Sequence, residues 1–161
     1  MNAKIIIRKI KNSDRQWIKS IFNNFWGGDI MITKGIIHRL NDLDGIIATL
    51  NKEKVGLITY KIVGKELEIT SVNSLKENKG IGSSMLDTVM ALARKQKIKR
   101  VWLITTNDNV DALKFYQKRN FVLKKIYTDA IKLSRELKPS IPLIGNYGIP
   151  IRDEIELEII L

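Results

Sequence analysis

Between Glu66 and Ala93 the chain switches from one hydrophobic period to another, and no other feature limits its possible folds so tightly. Glu66-Leu67-Glu68-Ile69-Thr70-Ser71-Val72 alternates as a β-strand does. Ile81, Met85, Leu86, Val89, Leu92 and Ala93 instead mark one face of a helix. Only a short turn, Glu77-Asn78-Lys79-Gly80-Ile81-Gly82, lies ahead of that helix. A strand must therefore run into a helix through closely spaced glycines, which commits this part of the chain to an α/β layer.

The flanking segments extend the pattern. Ile5-Ile6-Ile7 opens as a strand, and Asn12-Ser13-Asp14 offers caps for a helix carrying Trp17, Ile18, Ile21, Phe22 and Phe25. Trp26-Gly27-Gly28 stops that helix, and a second short helix is expected to carry Ile36, Ile37 and Leu40. Residues 45–50 and 55–63 read as strands joined by a turn at Asn51-Lys52-Glu53-Lys54, with a further turn at Val63-Gly64-Lys65. Val101-Trp102-Leu103-Ile104 is continuously apolar, as in a central strand. Asn109 can cap a helix reaching about Lys118, and residues 121–127 read as another strand. A helix over residues 130–137 ends before Pro139. Ile155, Leu157, Ile159 and Leu161 alternate with Glu154, Glu156 and Glu158, so a strand closes the chain, with the glutamates expected on the solvent side of an edge. The order implies one domain over residues 1–161: an α/β fold with a mixed, mostly antiparallel sheet of six to seven strands and helices on both faces.

Composition removes several chemistries. With no cysteine there is no disulfide scaffold, thiolate metal site or acyl-cysteine relay. A single histidine, His38, argues against a Ser-His-Asp triad or a histidine zinc site, and no metal is expected. The net charge of +11 is spread along the chain, and its one dense run, Arg94-Lys95-Gln96-Lys97-Ile98-Lys99-Arg100, straddles an expected helix C-terminus, where the dipole favours cations. A solvated basic surface explains this better than nucleic-acid binding, because no basic face carries base-stacking aromatics. No apolar run approaches the ~20 residues of a transmembrane helix. Met1 to Arg8 is too short and too polar after Ile7 for a signal peptide, so a cytoplasmic location is expected.

The chemistry begins at the glycine turn. Glycines at 80 and 82 let the backbone approach a ligand without an intervening Cβ, and the bare amides of the first helical turn make an anion site. Lys79 adds positive charge, and Ser83 and Ser84 add hydroxyls, so a pyrophosphate fits. The turn is no P-loop, since no Gly-Lys-Ser/Thr follows at the required spacing, and Met85 stands where a dinucleotide fingerprint has its third glycine.

Downstream, one helix and one strand later, comes Asn109-x-x-Ala112-x-x-x-Tyr116-x-x-x-Asn120-Phe121. Together with Glu77-x-x-Gly80-x-Gly82 it resembles the paired motifs of the GNAT superfamily of acyl-CoA-dependent N-acyltransferases. Two positions depart from that pattern. Glu77 replaces Gln or Arg, so its carboxylate should turn to solvent while the backbone amides bind. Asn120 replaces glycine, a mild change because Asn tolerates the left-handed conformation.

The resemblance implies a sheet whose central strands splay to admit the pantetheine arm of acetyl-CoA, in the manner of an added strand. It implies main-chain contacts from Ser71, Val72 and Ser74, diphosphate contacts from Glu77, Asn78, Lys79, Gly80, Ile81, Gly82 and Ser83, and a contact from Asn109 near the pantetheine. It further implies that Tyr116, itself against the cofactor, protonates the departing sulfur. The period of two puts Glu66, Glu68, Thr70 and Val72 on one strand face, which makes Glu68 the first candidate for general base. The acceptor pocket should involve Trp26, Thr33 and His38, with Trp26 packing and His38 at the surface or capping. The implied reaction is acetyl transfer from acetyl-CoA to a primary amine by direct attack in a ternary complex. A non-catalytic acyl-CoA sensor is the alternative. The closing strand offers an edge for pairing in a homodimer.

Overall fold

The computed structural model describes residues 4–161. Met1, Asn2 and Ala3, part of the segment weighed above as a signal peptide, lie outside the described residues. The elements in order are β1 (Ile5–Lys9), α1 (Arg15–Trp26), β2 (Ile30–Thr33), β3 (Ile36–Arg39), β4 (Asp44–Leu50), β5 (Glu53–Val63) and β6 (Glu66–Ser74). Then follow α2 (Ile81–Lys95), β7 (Arg100–Thr106), α3 (Val110–Gln117), β8 (Val122–Tyr127), α4 (Ala130–Leu137) and β9 (Glu154–Ile160). Seven strands form one sheet in the order β1-β4-β5-β6-β7-β9-β8, and β2-β3 stands apart as a hairpin. Among the described residues, only the β6–β7 pair of the large sheet is parallel.

Helices cover both faces. The stripe on α2 read from the sequence buries Ile81, Met85, Leu86, Val89 and Ala93 against Ile58, Tyr60, Leu67, Ile69, Val101 and Leu103. On the other face α1 packs Ile18, Ile21 and Phe22 on Ile47 and Leu57. Phe25, grouped with that stripe in the sequence, is instead exposed beside a cleft. Gly56 lets α2 approach β5, since a Cβ there would stand 2.8 Å from both Ile81 and Met85. No described helix is long and apolar enough to cross a membrane.

Three expectations are corrected. Residues 36–39 form a strand rather than a helix, because Lys34 (φ 52°) and Gly35 (φ 73°) close a two-residue hairpin loop of the left-handed kind that matches strand twist. The closing strand β9 is not an edge. It lies between β7 and β8, its three glutamates are buried, and neither side is free to pair with a second copy. Finally, Glu66, Glu68, Thr70 and Val72 do not share one face. Tyr60 pairs with Ile69 and Thr59 with Ser71, so Thr70 is an extra residue in a β-bulge. The bulge reverses the alternation, leaving Glu68, Ser71 and Asn73 on the α1 side and Val72 on the α2 side.

Candidate active site

Strands β6 and β7 part company midway. Their ladder runs from Glu66↔Arg100 to Ile69↔Leu103 and stops, although β6 continues to Ser74 and β7 to Thr106. Past Ile69, the β6 backbone groups directed away from β5 therefore have no partner strand among the described residues. A cavity of about 160 Å³ fills the angle, walled by Ile69, Thr70, Leu103, Thr105, Tyr116 and Glu154 among others. This is below the roughly 300–1,000 Å³ of a drug-sized site, so it suits a small reacting group. Two larger hollows reach it from opposite sides. A groove of about 600 Å³ lies over the starts of α2 and α3, sharing Val72, Asn109, Ala112 and Tyr116 with the cavity. A pocket of about 420 Å³ lies between α1, β2 and α4, sharing Trp26, Met31, Ile32 and Thr106. Asn109 lines all three.

The groove is built for an anion. Gly80 sits just before α2 at φ 68°, a conformation cheap only for glycine. The Ser84 amide bonds back to the Gly80 carbonyl at 3.0 Å, and the amides of Ile81, Gly82 and Ser83 precede the first possible intrahelical bond. A Cβ on Gly82 would meet only the Phe115 ring, at 3.6 Å, so folding tolerates a side chain there that a closely approaching ligand would not. Ser74, Glu77, Asn78, Gly80, Ile81, Gly82 and Ser83 line the groove as expected from the sequence, and Glu77 is exposed. Lys79 is exposed but forms no part of the wall; Lys76 and Arg119 supply cations instead. Ser71 borders the central cavity, and its hydroxyl is tied to Thr59 at 2.5 Å.

Arg119 escaped the sequence reading. Its guanidinium lies 3.7 Å from the centre of the Phe115 ring, donates to the Phe115 carbonyl at 2.8 Å and also donates to the Ser83 hydroxyl. The available signal was its place three residues after Tyr116, one helical turn on and facing the same groove.

Asn109 caps α3 as expected, its side-chain oxygen accepting from the Ala112 amide at 3.2 Å. Tyr116 follows on the inner face of that helix, held edge-to-face between Phe115 (5.1 Å) and Phe121 (5.4 Å). Asn120 adopts φ 68°, the left-handed turn that lets Phe121 fold back under Tyr116. Burial raises the Tyr116 phenol far above its ordinary pKa, against the opposing pull of Arg119, so it remains a proton donor through the neutral range.

On the α1 side of the sheet the β2–β3 hairpin grips two carboxylates. The Thr33 hydroxyl donates to Glu68 at 2.7 Å and lies 2.7 Å from His38 Nε2. The next residue, Lys34, donates its amide to Glu154 at 2.8 Å, and Ser134 on α4 donates to the other Glu154 oxygen at 3.2 Å. His38 is buried rather than at the surface, and its Nδ1 is the one buried side-chain N or O without a partner among the described residues. Burial, reinforced by Lys61, lowers its pKa and so favours the neutral ring. Trp26 does pack, and its indole also donates to Asn73 at 3.2 Å.

The glutamates divide by partner. Burial works against ionising Glu156, but bonds from Tyr127 and Arg100 outweigh it and leave its pKa lowered. Glu158 is lowered by its bonds to Arg100 and Lys124. Glu68 and Glu154 form no Lys or Arg salt bridge within 4.0 Å among the described residues, and burial raises both. Of these two, only Glu154 lies in the cavity wall; Glu68 meets the cavity through Thr33. The sequence displayed Glu154 plainly, but its alternating strand looks like an edge until β8 is known to lie outside it.

Comparison with known proteins follows the same lines. The profile of the Acetyltransferase (GNAT) family matches residues 15–121. Two Bacillus subtilis (strain 168) proteins, YxbD and YdhI, are each 42% identical over 142 residues, covering 87% and 88% of this chain and 89% of their own length. Among solved structures, an IAA acetyltransferase from Bacillus cereus superposes with TM-score 0.72 at 19% identity, covering 98% of this chain and 100% of its own. A GNAT family acetyltransferase from Elizabethkingia anophelis with acetyl-CoA bound gives 0.72 at 21% identity, with 98% of each chain covered. Profile, strand order, interrupted ladder and glycine turn agree: the chain belongs to the GNAT family of acetyltransferases.

Proposed function

We propose that residues 1–161 act as one acetyltransferase unit that moves an acetyl group from acetyl-CoA to a primary amine of a small molecule, by direct attack within a ternary complex. The observation that carries this is the meeting of the two larger hollows, from opposite faces, at the cavity between β6 and β7. The diphosphate fits the bare amides of Ile81, Gly82 and Ser83, with Arg119 as counter-charge and Glu77 turned outward. The pantetheine fits beside Val72 and Ser74, pairing with the free edge of β6 past the bulge at Thr70, with Asn109 at its side. In this arrangement the thioester lies beside Tyr116. The pocket bordered by Trp26, Met31 and Ile131 admits the amine.

A neutral amine attacks the thioester carbonyl carbon, a C–N bond forms and the C–S bond breaks. Tyr116 donates its proton to the leaving sulfur. An unpaired β6 amide near the carbonyl would stabilise the developing oxyanion. The amine must also lose a proton, since a pKa of ~10.4 keeps most of it charged at neutral pH. Glu68 can accept that proton only through Thr33 or a water.

The test is incubation with acetyl-CoA and a panel of small primary amines, polyamines and short peptides, read by free-thiol release and product mass. Thiol release with a small amine is expected. Binding of acetyl-CoA without release across the panel would make the protein a sensor, and release with peptides alone would move the acceptor to protein substrates.

A further inference from the structure

The reading above leaves the amine's proton without a direct acceptor in the cavity. We infer that Glu154 is the general base of the transfer, taking the proton from the attacking amine through its carboxylate in the cavity wall. This inference rests on the proposed function.

Glu154 pairs with Thr106 on β7 and Tyr127 on β8, at the open end of the split, whereas Glu68 pairs with Trp102 in the closed part of the ladder. Glu154 and Tyr116 border the same cavity, so a proton acceptor and a proton donor face one reacting centre. Glu154 is 1% exposed and is held by two neutral donors, the Lys34 amide and the Ser134 hydroxyl. These fix the carboxylate without neutralising it.

Lys34, on the hairpin, pairs with Glu156 at 3.4 Å and lies over the Trp102 and Tyr127 rings, acting on Glu154 only at a distance. Arg100 on β7 is taken by Glu66, Glu156 and Glu158, and Lys124 on β8 by Glu158. Tyr127 on β8 donates to Glu156. Asp153 pairs with Arg152, and Lys138 at the end of α4 donates to the carbonyls of Trp26 and Ile30. His38 and Glu68 share Thr33. Among the described residues Glu154 is thus the carboxylate of the central cavity wall and has no Lys or Arg salt bridge within 4.0 Å, and burial raises its proton affinity, in the direction of an amine's.

The step balances without a further reactant. The ammonium gives one proton to a Glu154 oxygen; the freed nitrogen forms the C–N bond as the C–S bond breaks, the sulfur leaves with the proton of Tyr116, and the second nitrogen proton restores the Tyr116 phenol. Glu68, behind Thr33, is then a positioning residue that fixes the hairpin whose next amide holds Glu154.

The test compares Glu154→Gln, Glu154→Asp and Glu68→Gln with the wild type, using an amine that the wild type acetylates. E154Q should lose kcat by about 100-fold or more, bind acetyl-CoA within twofold of wild type by calorimetry, and lose the acidic limb of its kcat/KM pH profile. Its melting temperature at neutral pH should not fall, because the buried charge is gone. E154D should keep the acidic limb at reduced rate, which covers the case of a misfolded glutamine variant. E68Q should keep that limb and lose less than tenfold. An E154Q enzyme within threefold of wild-type kcat, or an acidic limb that vanishes in E68Q and persists in E154Q, overturns the inference while leaving the transferase reading intact. A wild type without turnover on any amine overturns both.

Discussion

Tyr116 shows how far a single side chain can be read from sequence and what its neighbours add. Its spacing from Asn109 and Ala112 marked it, but the sequence did not reveal Phe115 and Phe121 gripping its ring, nor the burial that keeps its proton in place. Tyr116→Phe keeps the aromatic packing and removes only the donor. Thiol-release kinetics should show kcat down by about 100-fold or more, with acetyl-CoA affinity unchanged by calorimetry. Arg119 presents the converse case, a residue with no motif to announce it. Arg119→Ala removes the charge over the groove and the tie between α3 and Ser83, and acetyl-CoA affinity should fall about tenfold, the worth of one charged hydrogen bond. Unchanged affinity across a salt titration would remove it from the diphosphate site.

Among the helices and strands, legibility followed hydrophobic period. The stripe of α2, the alternation of β6 and the Asn109 cap were plain, because each depends on neighbours in sequence. The β2–β3 hairpin was missed because Ile36 and Ile37 imitate a helix stripe, while the deciding signal was the positive φ at Lys34 and Gly35. The bulge at Thr70 was invisible for a different reason: it is a property of pairing with Thr59 and Tyr60, not of β6 alone. It divides Glu68 from Val72, which a strict period of two would have joined. The junction into α2 can be tested through Gly80. Gly80→Ala gains no clash but must hold φ near 68°, and urea denaturation should show a loss of about 1–2 kcal/mol. Equal stability would mean that the turn relaxes at no cost.

The whole sheet depends on a strand order that local sequence does not encode. Taken one strand at a time, β9 is an amphipathic edge; inserted between β7 and β8 it becomes a buried row of carboxylates, two paired with Arg100 and one in the cavity wall. That row and Asp14 set the response to acid. Hydrogen bonding from Arg8, with Lys54 beside it, holds Asp14 well below its ordinary range, and Glu156 and Glu158 are also lowered. Carboxylates depressed in the folded state stabilise it above their unfolded pKa of about 4 and lose that contribution as the pH falls through their folded values. Glu68 and Glu154 act the other way: their raised values favour folding while they are protonated, and stability declines as pH rises from the unfolded toward the folded pKa. Thermal melts should therefore show a steep fall below about pH 4 that is reduced in Asp14→Asn, from a lower starting stability. A melting temperature flat across that range would refute the assignment. The transferase reading stands on where acetyl-CoA lies, and hydrogen–deuterium exchange reads that directly. Saturating acetyl-CoA should slow exchange over residues 78–84 and 70–74, at the bare helix amides and the unpaired edge of β6. Slowing confined to other segments, or none at saturation, would contradict it.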